Sequence, residues 1–471
     1  MNGLIVDGDH GETGARRGSR VVAIVSSGNT ALIAISVTIL AIAIVKTLVT
    51  QILFADGAEY ITRIASAKDF YFHAHRILAE WVMEVPTVVA TGIFHVHSYH
   101  ALAILLGVGY YIFPAIFCIC AVYFSRNSLP IFCYATASSA LLFCLSGGDG
   151  EVAFGQALFI VGSVVLLLEK RFTRVEAAVV VGVSILALNS YQGFAFWAPA
   201  LAVLLFLHER RRENRSPWWF PPLNHLLLAL STAESVWAIF YTHSESGADA
   251  LMSHALNLHY YSPAARHEIL WTSILMITIA VLALAGNSKY VSNRPARYAA
   301  NACVAALAIS PWLWDNTVGP IDTYYMRGDT AGLIILLTAL VCVWQRKLNW
   351  KVFTATGAKA FALGLVVFSL ATTMVVATQW DSFQTQLSHE NQRNGSYAVT
   401  ALGIQPNLVT RFIWPWNNSL LGIILATREG HVGVTNVAPP QNLGPLVNRV
   451  SYYAMHPTVT NLPSSIRAFH W

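Results

Sequence analysis

Residues 29–54 read NTALIAISVTILAIAIVKTLVTQILF and run straight into Ala55-Asp56-Gly57-Ala58-Glu59-Tyr60. The stretch is 26 residues long with Lys46 as its one charge. As a helix it would measure about 39 Å, enough to cross a hydrocarbon core of roughly 30 Å. Ten further apolar stretches follow at roughly 99–124, 129–147, 153–168, 175–190, 194–208, 222–241, 268–286, 298–314, 329–344 and 360–378. Across the 471 residues, 55% are hydrophobic and 11% charged. A soluble chain carries about 25% charged residues. The composition excludes a disordered protein, a disulfide scaffold and an ordinary soluble enzyme. It predicts an all-α polytopic membrane protein with about eleven transmembrane helices.

Outward from the first stretch, the organisation follows. Residues 1–28 form a polar N-terminal tail, residues 29–378 a transmembrane domain with a large first outer loop at 55–98, and residues 379–471 a small extracytoplasmic segment, helical or α+β. The first stretch is too long for a signal-peptide core, and no small-residue cleavage site follows it, so it reads as a retained helix. Lys46 lies about two turns from its outer end, within snorkelling reach of the headgroups. The six cysteines all fall within apolar stretches, at spacings that suit neither zinc nor a redox pair.

The basic residues set the orientation. Alternate loops hold Arg16, Arg17, Arg20, Arg126, Lys170, Arg171, Arg174, Arg210, Arg211, Arg212, Arg215, Lys289, Arg294, Arg297, Arg346, Lys347 and Lys351, seventeen in all. The opposite loops hold five: Arg63, Lys68, Arg76, Arg266 and Arg327. By the positive-inside rule the N-terminus is cytoplasmic and the C-terminus lies outside, periplasmic in a bacterial inner membrane. Basic groups placed in this way point to membrane lipids as partners and not to nucleic acid.

The outer loops carry the residues suited to chemistry. If a helix begins after Asp56, then Asp56 and Glu59 share a face, as do Glu59 with Arg63 and Asp69 with His73. Carboxylates, imidazoles and guanidinium groups together can activate a hydroxyl and hold a phosphate; an N-terminal cap and solvated salt pairs are the plainer alternative. His95, His97 and His100 offer a His-x-His pattern that reads as a metal ligand set or as boundary residues. Asp149 and Glu151 sit in a tight glycine-flanked turn, and Arg327 stands beside the tenth stretch, where a lipid phosphate could dock. Glu234 lies inside an apolar stretch, where a charge is costly unless it faces protein or water.

At Asp56-x-x-Glu59 the chain resembles the GT-C superfamily of integral membrane glycosyltransferases. The likeness lies in the number of spans, the orientation, an acid just after the first helix, and an outer C-terminal segment. The family's acids are adjacent or once separated, whereas here two residues stand between them. The resemblance implies sugar transfer from a polyprenyl-phosphate-linked donor to a glycan or lipid acceptor on the outer face, with inversion and Asp56 as general base. Glu59 would be its catalytic companion. Arg63, His73, Arg76, Asp149, Glu151 and Arg327 would handle substrate and phosphate, either without metal or with a divalent cation (magnesium or manganese) on Asp56 and Asp149. The alternatives are a transporter or lipid flippase built on Glu234, a polysaccharide polymerase using the outer arginines, and a non-catalytic assembly protein.

Overall fold

A computed structural model describes residues 13–54, 57–71, 76–145, 150–168, 172–210, 218–246, 263–313, 320–347, 352–394, 399–400, 404–412, 421, 424–425 and 437–438. The architecture is all-α. In chain order the helices are α1 (Thr13–Leu48), α2 (Gly57–Ala67), α3 (Ile77–Gly92), α4 (Tyr99–Gly107), α5 (Phe113–Ser125), α6 (Leu129–Leu145), α7 (Gly150–Leu167), α8 (Arg174–Leu186), α9 (Phe194–Glu209) and α10 (Phe220–Ser246). Then come α11 (Pro263–Gly286), α12 (Arg294–Ile309), α13 (Pro320–Lys347), α14 (Ala355–Asn394) and α15 (Pro406–Phe412). Among the described residues the only strand pairing is parallel, Val399–Thr400 with Val437–Ala438.

Each of the eleven apolar stretches is helical over most of its length. Three helical segments are long and apolar enough to cross a membrane: Thr30–Leu48, Tyr99–Ser125 and Ala355–Glu390. The apolar helices Leu129–Cys144, Val152–Leu167, Phe194–Glu209, Leu270–Gly286 and Thr330–Gln345 are shorter. α14 passes position 378 without a break and, at 40 residues, spans about 60 Å. It packs along α1, α6, α11 and α12 and forms the spine of the bundle. α7 is buried on every side from Val152 to Leu167, Gln156 and Ser163 included, as a helix apolar nearly all round must be. A hydroxyl chain crosses that interior: Tyr134 Oη and Ser163 Oγ lie 2.7 Å apart, and Thr338 Oγ1 donates to Tyr134 Oη at 2.8 Å. Satisfied in this way, the three hydroxyls join α6, α7 and α13 without leaving a buried orphan.

Polar contacts between helix ends sort into two sets. In the first, Lys46 Nζ donates to the Phe143 carbonyl, Trp380 Nε1 to the Thr50 carbonyl, and the Leu78 N–H to the Asn189 carbonyl. In the second, Gln345 Nε2 donates to the Leu167 carbonyl, the Phe172 ring stacks on His208 at 4.0 Å, the Lys289 N–H reaches the Val352 carbonyl, and Thr354 Oγ1 reaches the Asn287 carbonyl. The helix termini that make these contacts therefore gather at two ends of the bundle. The apolar surface is large: α11 exposes Leu270, Trp271, Ile274, Ile277 and Val281, and α10 exposes Leu223, Leu226, Leu230 and Trp237. Apolar faces of this extent need covering by something other than water.

Two details position the first end. α1 stops at Leu48; Thr50 just after it is left-handed, with φ 52°, and begins a 3₁₀ turn at Gln51–Leu53. Besides Trp380, Gln384 Nε2 donates to Thr50 Oγ1 at 3.0 Å, so the helix end is closed by α14. Lys46 is buried rather than snorkelling: its ammonium lies 5.7 Å from the centroid of the Tyr111 ring as well as on the Phe143 carbonyl. Between α4 and α5 the chain makes a π-helical turn at Val108–Ile112. A Cβ at Gly109 would lie 1.8 Å from the Met83 carbonyl oxygen, so α3 and the π turn meet backbone to backbone.

That approach makes a stability prediction. Gly109→Ala must push α3 away, at about 1–3 kcal/mol, the usual cost of overpacking. Gly182→Ala meets nothing within 4 Å and is expected to be neutral or slightly stabilising. Thermal unfolding of the two purified variants checks this, with a marked drop expected for Gly109→Ala alone.

Candidate functional site

The segment 55–98, expected as an outer loop, contains two helices that fold into the bundle. α2 begins at Gly57, directly after Asp56, and buries Tyr60, Ile61 and Ile64. A Cβ at Gly57 would meet the Ile52 carbonyl at 1.6 Å, so the turn out of α1 tolerates only glycine there. The helical spacing brings Arg63 and Glu59 together as expected, with Nη2 3.4 Å from Oε1. The arginine side chain is 60% exposed, so the pair adds little stability by itself.

Tyr71 is the centre of the cluster. Its hydroxyl donates to Glu59 Oε1 at 3.3 Å, and its backbone N–H donates to Glu84 Oε2 at 2.9 Å. The Arg63 guanidinium carbon lies 5.6 Å from the centroid of the Tyr71 ring. Tyr60 packs on Tyr71 at 5.8 Å and on Tyr110 of the π turn at 6.0 Å. Burial pushes the Tyr71 hydroxyl up to about 12, and the Glu59 charge adds to the rise while Arg63 opposes it. The hydroxyl thus remains a donor throughout the physiological range.

Glu80 and Glu84 are fully buried on α3, in line with the buried Thr87 and Thr91. Glu80 stands close enough to Tyr71 for its charge to reach the hydroxyl. Sequence reasoning placed these two acids on the outer side and did not include them among the site residues. The available signal was their i, i+4 spacing inside ILAEWVMEVPTVVATG, where two carboxylates interrupt one face of an otherwise apolar helix. A buried carboxylate is expensive without polar company, so such a stripe marks a polar interior.

Arg76 occupies the other flank, with its guanidinium carbon 5.5 Å from the centroid of the Tyr191 ring. The turn that carries Tyr191 is braced by α10: Ser231 Oγ donates to the Ala187 carbonyl, Glu234 Oε2 accepts the Asn189 N–H at 2.7 Å, and Ser235 Oγ donates to the Tyr191 carbonyl. Glu234 therefore acts as a cap on a helix break. The remaining expected residues are not brought into this cluster by any described contact. Asp56, His73 and Asp149 lie outside the described residues. Glu151 and Arg327 sit on α7 and α13, with side chains outside the described set. Phe54, two residues before Asp56, is held by Trp380 and Phe412, with ring centroids at 5.9 and 6.0 Å.

His95 and His97 are exposed beside α4, and no group of three or more His, Cys, Asp or Glu able to hold a metal occurs among the described residues. The proposed pair of ligands, Asp56 and Asp149, falls outside them. The cluster can accept a proton at a carboxylate and present a guanidinium to an anion. Group transfer draws on both abilities.

Tyr71 also gives a pH prediction. Its raised hydroxyl means that the folded state holds the proton more tightly than the unfolded chain, with its ordinary value near 10. The stability this group supplies is complete below about pH 10 and falls as pH climbs towards 12. In Tyr71→Phe that part of the alkaline decline should flatten, with a loss of about 1 kcal/mol at neutral pH from the missing hydrogen bond. Melting curves of the two proteins from pH 8 upward measure both effects.

Comparison of the chain with protein-family models, with curated proteins and with solved structures returns no match.

Proposed function

We propose that the chain is a polytopic membrane glycosyltransferase with eleven spans. It transfers a sugar from a polyprenyl-phosphate-linked donor to a glycan or lipid acceptor on the extracytoplasmic face of a bacterial inner membrane. The observation that carries this reading is the gathering of Glu59, Glu80 and Glu84 around Tyr71, with Arg63 and Arg76 beside them, at the bundle end where α1 finishes. That end is poor in basic residues, whereas Arg126, Arg174, Arg210, Lys289 and Arg294 flank the opposite one. The outward apolar faces of α10 and α11 suit lipid.

A lipid-linked sugar carries its phosphate at the headgroup plane, so the reacting bond sits level with the helix mouths. Asp56 takes the proton of the acceptor hydroxyl as its oxygen attacks the anomeric carbon. The bond from that carbon to the phosphate oxygen breaks on the opposite face, and configuration inverts. The departing phosphate gains negative charge, which a guanidinium held against aromatic rings stabilises best where water is scarce. Glu59, the next acid along the chain and the catalytic companion of Asp56, is tied to Arg63 and Tyr71. A divalent cation, if bound, would be held by Asp56 and Asp149 and would supply the same charge stabilisation.

The test is Asp56→Asn in protein reconstituted into liposomes with a prenyl-phosphate-linked sugar donor. A general base contributes about 10²–10⁴ in rate, so transfer should fall by at least about a hundredfold while insertion and expression stay normal. Undiminished transfer would remove Asp56 as the base. Comparing the surface glycans of a deletion strain with those of its parent identifies the sugar.

A further inference from the structure

The loop that joins α11 to α12 lies at the basic end of the bundle and is held from several sides. Asn287 Nδ2 donates to Asn301 Oδ1 at 2.8 Å across the two helices, and to the Ala283 carbonyl at 3.0 Å. Thr354, just before α14, donates its hydroxyl to the Asn287 carbonyl at 2.6 Å, and the Lys289 N–H donates to the Val352 carbonyl at 3.0 Å. Arg297 reaches back along the loop, its Nε donating to the Val291 carbonyl at 2.7 Å. The side chains that this frame leaves outside are cationic and aromatic. Lys289 and Arg294 are exposed, as are Tyr290 and Tyr298. Among the described residues no group engages the Lys289 ammonium or the Arg294 guanidinium, so both charges stand open on a fixed backbone.

No acid offsets them. Between Glu268 and Asp315, and again between Asp329 and Asp381, the chain has no Asp or Glu. The first stretch holds Lys289, Arg294 and Arg297 and the second four more cations, and the Lys289–Val352 hydrogen bond ties their loops together. Along α12, positions 294, 298, 302, 305 and 309 share a face, and Arg294, Tyr298, Ala302, Ala305 and Ile309 are all exposed there. Cation, aromatic ring and apolar surface follow in the order of a lipid's headgroup, interface and chain. We propose that the α11–α12 loop is a docking surface for an anionic phospholipid of the cytoplasmic leaflet. Lys289 and Arg294 hold its phosphate, and an acyl chain lies along the Ala302 face of α12. The proposal rests on the helices spanning the membrane as read above and is independent of sugar transfer. Clustered cations beside a membrane helix attract anionic headgroups, and a loop fixed beforehand loses little order on binding. A second copy of the chain fits this face poorly, because two copies side by side in one membrane would bring like charges together.

Full-length protein in non-ionic detergent, mixed with dioleoylphosphatidylglycerol and weighed by native mass spectrometry, tests this. Dioleoylphosphatidylcholine and inorganic phosphate are the other arms. Wild-type protein should hold one phosphatidylglycerol at least about tenfold more tightly than phosphatidylcholine. Lys289→Gln combined with Arg294→Gln should weaken that binding about thirtyfold, roughly fivefold for each cation removed beside an anionic headgroup. The same protein should melt where wild type does, since position 289 keeps its backbone bond to Val352 and neither side chain braces the fold. Arg126→Gln combined with Arg174→Gln removes equal charge from the same end and should bind within about twofold of wild type.

Several results would overturn the proposal. They are equal affinity of wild type for the two lipids, and undiminished phosphatidylglycerol binding once Lys289 and Arg294 are both replaced. An Arg126 and Arg174 double variant as impaired as the Lys289 and Arg294 one would mean a diffuse field over the whole end in place of a site. Displacement of the lipid by an equal concentration of inorganic phosphate would make this a site for free anions and overturn the assignment to a lipid.

Discussion

The backbone contact between α3 and the π turn decides where two carboxylates are buried. With no side chain at Gly109, the Met83 carbonyl rests directly on the turn, and Glu80 and Glu84 are drawn inside with it. A carboxylate taken from water without partners costs several kcal/mol. The chain answers by folding Tyr71 back over α3, so that Glu84 receives a backbone N–H while the tyrosine hydroxyl bridges to Glu59 on α2. The π turn itself arises where the helix Tyr99–Ser125 must accommodate this approach, and it places Tyr110 against Tyr60. Extra residues of this kind inside helices recur at functional sites.

The site divides into an acidic half and a cationic half, and different parts of the chain build them. The acidic half is local, made by α2, the segment around Tyr71, and α3. The cationic half depends on residues more than a hundred positions away, because Arg76 rests on Tyr191 and the turn carrying Tyr191 is held by α10. A third distant contribution closes the end of α1, where Trp380 and Gln384 of α14 take up the groups around Thr50. Helix ends that would otherwise present orphan polar groups are in this way joined at one end of the bundle.

Much of the helical framework was legible in the sequence, since every apolar stretch is a helix and the i, i+4 pairing of Glu59 with Arg63 is formed. Periodicity reports such features because they depend only on neighbours along one helix. α2 and α3 were less legible. Their acids, histidines and arginines lower the local hydropathy, so a buried helical hairpin reads as a polar loop. The role of Glu234 was illegible for another reason: its partner is a backbone N–H on a different helix break, and no side-chain pattern announces that. Lys46 was misjudged on the same ground, because its acceptor is the carbonyl of Phe143. The run of α14 past position 378 was missed because the helix continues in polar residues after its apolar part ends.

All of the chemistry requires the acid-bearing end of the bundle to face away from the cytoplasm, with lipid around the helices between the two ends. Cysteine accessibility in intact cells tests that requirement most directly, using a cysteine-free background carrying either Asp69→Cys or Tyr290→Cys. Both positions are exposed, and they lie at opposite ends of the bundle. A membrane-impermeant maleimide should label position 69 in intact cells and position 290 only after the membrane is opened. Labelling of position 290 alone in intact cells, or of both positions alike, would contradict the account.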